Sequence, residues 1–145
     1  MALLLDADEG ALLVYRGGTV DALPQPWPVV DEEGRLNLDG GVRHHYQSVD
    51  VTDSPYAATL TDRIIGVDTS IAPVTVELPA VAELGEGVVL LIKDEGGKAD
   101  VESIIVEAVP GEKIDGADSV TMTTAYESLR LYSGATNWFI AARLT

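Results

Sequence analysis

Residues 73–79 read PVTVELP. Successive side chains of a strand point to opposite faces, so Val74, Val76 and Leu78 share one side while Thr75 and Glu77 share the other. Pro73 and Pro79 bracket the run, because proline gives no N–H to a sheet ladder. This is a strand with one dry face and one wet face. Similar segments lie on either side: IIGVDTS (64–70), VVLLIKDEGGKA (88–99), SIIVEAV (103–109), SLRLYSG (128–134) and NWFIAARL (137–144). VVLLIK (88–93) is more uniformly apolar, which predicts a central strand covered on both faces. Pro110-Gly111 and Asp115-Gly116 predict turns. The last two segments predict a closing hairpin through Gly134, with Tyr132 and Trp138 paired across it. VAELGEG (81–87) reads as a connector with one helical turn. Short strands at regular spacing indicate an all-β fold, a small antiparallel sandwich or barrel over residues 46–145.

Residues 1–45 read differently. The apolar runs ALLL and ALLVY flank DADEG (6–10), a hairpin pattern with Gly10 free to turn. Asp6, Asp8 and Glu9 do not make a calcium loop, since the twelfth position is Gly17. In PQPWPVV (24–30) three prolines enforce an extended, stiff path. Leu36 and Leu38 alternate with polar residues in a short half-exposed strand. These features predict an N-terminal hairpin and Pro-rich arm used for assembly and anchoring. Its contact candidates are Leu3, Leu5, Leu13, Tyr15, Pro24, Pro26, Trp27, Pro28, Leu36 and Leu38. The alternative is a linker whose Trp27 packs on its own domain.

Nine Lys and Arg face 24 Asp and Glu, for a net charge of −15. Such a surface repels nucleic acid and anionic lipid, so neither nucleic acid nor membrane is expected as a partner. MALLL lacks the basic start and length of a signal peptide, and no run approaches a membrane span. There is no cysteine, which removes disulfides and thiolate chemistry. Scarce Asn, Gln and Met fit a thermophilic source; high acidity with few lysines fits a salty one.

Chemistry-bearing patterns are sparse. His44 and His45 are the two histidines. As strand neighbours they point apart, and no Cys or third His completes a metal set. Gly96-Gly97-Lys98 sits among Asp94, Glu95 and Asp100, where a phosphate is repelled. No GxSxG elbow is present. The carboxylates Asp115 with Asp118, or Asp94 with Asp100, are the remaining enzyme option, for glycosidic bonds. Close pairs are expected by chance in so acidic a chain, and acidic turns are ordinarily solvated. No catalytic residue, metal or cofactor is therefore assigned, and the expectation is a protein that is not an enzyme.

The ordered set IIGVDTSIAPVTVELPA, VVLLIKDEGGKAD and IIVEAVPGEKIDGADSVTMTTAYESLRLYSGATNWFI resembles a β module of bacteriophage head-decoration, head-fibre and tail-fibre proteins. The resemblance spans about residues 64–140 and does not extend to residues 1–63. It implies an all-β, homotrimeric part exposed on the virion exterior; the lack of a signal peptide makes the host cytoplasm the expected place of synthesis. It carries no catalytic residues. Sheet edges that must be paired or covered, and a stiff arm suited to reach a neighbour, independently favour a closed assembly. The leading expectation is a capsid decoration (cementing) protein on the major capsid protein lattice. The acidic surface suits a place outside the DNA-filled shell, and the chain has no heptads or fibrous repeat for a shaft. The runner-up is a head fibre, tail fibre or spike tip that meets other tail proteins or a host surface glycan. Copy number in purified virions separates the two, with hundreds favouring decoration. A third class is an enzyme acting on host polysaccharide.

Overall fold

The computed structural model describes residues 2–5, 12–15 and 44–145. The chain divides into two compact units, Met1–Arg43 and His44–Thr145. In the first, β1 (Ala2–Leu5) pairs antiparallel with β2 (Leu12–Tyr15), Ala2 opposite Tyr15 and Leu5 opposite Leu12.

The second unit holds nine strands in two sheets. They are β3 (Tyr46–Val49), β4 (Tyr56–Ala57), β5 (Ile64–Val67), β6 (Val74–Glu77), β7 (Val89–Asp94), β8 (Ile104–Glu107), β9 (Ser119–Met122), β10 (Ser128–Ser133) and β11 (Trp138–Leu144). A five-stranded sheet has the order β11-β10-β7-β5-β3, and a four-stranded sheet β4-β6-β8-β9. Helix is confined to one 3-10 turn, Val51–Asp53, and one α turn, α1 (Val81–Leu84). The protein is all-β in this unit.

The strand directions correct one expectation. The sheets are mixed, not antiparallel. β3 with β5, β5 with β7, β4 with β6, and β6 with β8 are parallel pairs. The reason is the winding. From β3 to β8 the chain alternates sheets at every strand, so each return to a sheet comes from the same end. Parallel neighbours need a crossover rather than a tight hairpin, and here a strand of the other sheet serves as the crossover. Only after β8 does the chain fold back on itself, giving the antiparallel pairs β8–β9, β7–β10 and β10–β11.

The inner faces of the two sheets bury one core. Ile65, Val67, Leu90, Ile92, Leu129 and Leu131 come from the larger sheet; Val74, Val76, Ile104, Val106 and Met122 come from the smaller. The alternation predicted for 73–79 is present, with Val74, Val76 and Leu78 fully buried and Glu77 exposed. Trp138 is also fully buried, and its indole N–H donates to the Pro79 carbonyl at 3.2 Å, tying the last strand to the connector after β6. Tyr132 therefore does not pair with Trp138. It stacks on Phe139, with ring centroids 5.4 Å apart, while Trp138 lies opposite Ser133.

Candidate functional surface

The outer face of the five-stranded sheet is built from register. Along one row Tyr46 lies beside Ile64, Ile64 beside Leu91, Leu91 beside Arg130, and Arg130 beside Ala142. The next row runs Ser48, Gly66, Lys93, Ser128, Leu144, and on the other flank Val89, Tyr132 and Phe139 line up. A groove of about 590 Å³ crosses this face, lined by side chains of β5, β7, β10 and β11 together with His44 and Arg63. β7 is the middle strand, as its composition predicts, but it is not covered on both faces. Leu90 and Ile92 are buried, whereas Val89 is 39% exposed on the outer side. Leu144 at 68% adds to the same open surface.

Three cations border the groove. Arg63 donates to the backbone carbonyls of Leu60 and Asp62. Lys93 donates to the Tyr126 carbonyl and lies 5.9 Å from that ring's centre. Among the described residues neither of these, nor Arg130, makes an ion pair with a carboxylate. Glu95 reaches this side of the sheet, over Gly66, and accepts the Tyr46 hydroxyl at 2.8 Å.

Of the carboxylates considered for catalysis, Asp94 and Asp115 accept backbone N–H groups. Asp94 is fully buried and accepts N–H bonds from Gly97 (2.9 Å), Ala99 (3.1 Å) and Tyr126 (2.9 Å), closing the turn that follows β7. Asp115, at positive φ, accepts the Ile140 N–H at 3.3 Å along the β11 edge. Asp118 pairs with Lys113 on the surface. Glu127, fully buried, accepts from Thr123 and Thr124 N–H and from Arg143. A buried carboxylate is tolerated when its lone pairs are filled in this way.

His44 and His45, which precede β3 rather than lie on it, have different surroundings. His44 lines the groove; His45 Nδ1 lies 2.9 Å from Asp62 Oδ1. Asp62 also accepts the Tyr56 hydroxyl (2.8 Å) and the Thr59 N–H (2.7 Å). Burial opposes ionisation of Asp62, but the hydrogen bonds from Thr59, Tyr56 and His45 outweigh it and hold the carboxyl below its usual range. The Tyr56 phenol is pushed up to about 12 by burial and then by Asp62.

Of the contact candidates, Leu3 and Leu5 fall on β1, and Leu13 and Tyr15 on β2. Pro24, Pro26, Trp27, Pro28, Leu36 and Leu38 lie outside the described residues. The groove was not foreseen from sequence. Its signal was present in VVLLIK, a strand too apolar for the single covered face it has in this chain. No family model and no curated protein matches the chain. Among the described residues no helix is long and apolar enough to cross a membrane.

Proposed function

We propose that the protein is a structural part of a bacteriophage particle: a homotrimeric decoration protein on the outer surface of the head, stabilising the mature shell. The β module forms a small sandwich at that surface, and residues 1–45 contact the shell or sister subunits. The role is assembly, without catalysis. The observation that carries this reading is the open apolar face of the five-stranded sheet, with Val89, Tyr132 and Phe139 exposed side by side on one flank and Leu144 exposed on the other, beyond the row of Leu91, Arg130 and Ala142. A contiguous apolar patch on an otherwise strongly charged chain is a surface for another protein. The motif order over residues 64–140 supports the phage assignment, and a charge of −15 suits a place away from packaged DNA. Binding the expanded lattice and not its precursor would stabilise the mature shell by linkage, as any native-state ligand does.

Mixing purified protein with undecorated expanded capsids tests the role. Stoichiometric co-sedimentation and a raised disruption temperature are expected; absence of binding removes the proposal. Solution mass tests the trimer separately, and a stable monomer at micromolar concentration counts against it.

A further inference from the structure

Two features of the groove conflict with an exposed life. β7 carries Val89 and Leu91 on the solvent side although it is the central strand of its sheet. Arg63, Lys93 and Arg130 also gather at one groove, on a chain with 24 acids and nine bases. Because Arg130 lies beside Leu91 and Lys93 beside Ser128, the two residues are diagonal neighbours on one sheet face, their backbone positions roughly 7–8 Å apart at ordinary sheet spacings. Like charges on one face repel, and among the described residues neither Lys93 nor Arg130 makes an ion pair with a carboxylate.

We propose that this groove docks an extended, acidic polypeptide segment of a different protein, in which carboxylates alternate with apolar side chains. An extended segment sends alternate side chains to opposite sides. One set meets the floor of Ile64, Leu91 and Ala142; flanking carboxylates meet Arg63 at one border and Lys93 with Arg130 across the groove. Docking covers the outer side of β7 and neutralises the cation pair together, with charge-assisted hydrogen bonds from both guanidinium groups.

A second copy of this chain fits less well. Two copies joined through this face by a two-fold axis set cations against cations. Joining it to the acidic outer face of the four-stranded sheet, on the far side of the core, makes a head-to-tail contact that takes up both sheet faces of every copy. The inference does not rest on the virion role. It requires only a partner of this chemistry.

The test uses the full chain and a synthetic peptide of about eight residues, within ordinary strand length, alternating Glu and Val. A Lys–Val peptide serves as control. Amide NMR should show shifts on β5, β7 and β10 with the Glu peptide and not with the Lys peptide. The double variant Lys93→Glu/Arg130→Glu should weaken Glu-peptide binding by about tenfold or more, the equivalent of 1.4 kcal/mol, and reverse the preference. If that variant fails to fold, Lys93→Gln/Arg130→Gln should still weaken binding. Equal binding of both peptides, shifts elsewhere, or unchanged affinity in a folded variant overturns the proposal. So does a wild-type oligomer that dissociates in the double variant, since the occupant is then a second copy.

Discussion

The two sheets share a core but present unlike outer faces. On the four-stranded sheet the outward residues are Thr75, Glu77, Ile105, Glu107, Ser119 and Thr121, so polar groups dominate, and Glu77 lies beside Glu107. On the five-stranded sheet they include the apolar Ile64, Leu91, Val89, Phe139, Ala142 and Leu144 with Tyr46 and Tyr132, interrupted by Ser48, Lys93, Ser128 and Arg130. The inner faces are interchangeable in character; the outer ones are not. One sheet meets water with a surface made for it. The other meets water with the surface of a strand that expects a cover. The difference separates a face suited to water from the face proposed above as a docking surface.

The comparison depends on a common interior, and the largest effect should appear there. Trp138 spans the two layers, from β11 to the Pro79 carbonyl. Trp138→Ala should cost about 3–5 kcal/mol in urea unfolding, the usual cost of emptying a large aromatic site. A loss under about 1 kcal/mol would mean that the layers hold together without it. Leu90 and Leu91 then give the cleanest contrast, being consecutive residues on opposite faces of β7. Leu90 is 2% exposed, and Leu90→Ala should cost about 2–5 kcal/mol. Leu91→Ala should cost less than about 1 kcal/mol in the isolated protein, as surface changes do, while weakening partner binding. Equal stability losses at the two positions would show that the outer face is already covered.

Much of this arrangement was legible in the sequence. The alternation of Val74, Val76 and Leu78 against Thr75 and Glu77 marked β6 and its dry side, and the run through Gly134 marked the final hairpin. Strand direction was not legible. Turn residues show where a chain bends, and say nothing about whether the next strand joins the same sheet. β4 is two residues long and invisible to any periodicity, yet it forms the first crossover to the other sheet. β9 leaves little mark in the sequence, because SVTM (119–122) has only Val120 and Met122 as apolar markers. The groove was hidden for a different reason. Composition of β7 reports what the strand can bury, and among the described residues part of its outer side, Val89 above all, stays exposed.

An acid-side effect at the border of the groove should be smaller. Asp62, beside Arg63, has its folded pKa held below the ordinary value of 3.8. A carboxylate of this kind contributes stability that is complete above the unfolded value and is lost as pH falls through the folded one. The wild type should therefore lose stability below about pH 3.8, and Asp62→Asn should flatten that limb. The variant should also cost about 1–3 kcal/mol at neutral pH, because hydrogen-bond donors lose their charged acceptor. An unchanged acid limb in Asp62→Asn would assign the sensitivity to other carboxylates.

The smallest effect belongs to the acidic face, and its sign carries the information. Glu77 and Glu107 are direct neighbours on parallel strands, and like charges so placed are destabilising. Glu107→Thr removes one charge and installs a residue suited to strands. The expected gain is about 0.2–0.5 kcal/mol at low salt, shrinking as salt screens the pair, with Glu-peptide binding unaffected. A loss of stability would mean that Glu107 holds something in place. A change in peptide affinity would mean that the two outer faces communicate through the core. Either result would end the division of labour between the sheets, since one face would no longer be a passive solvent surface.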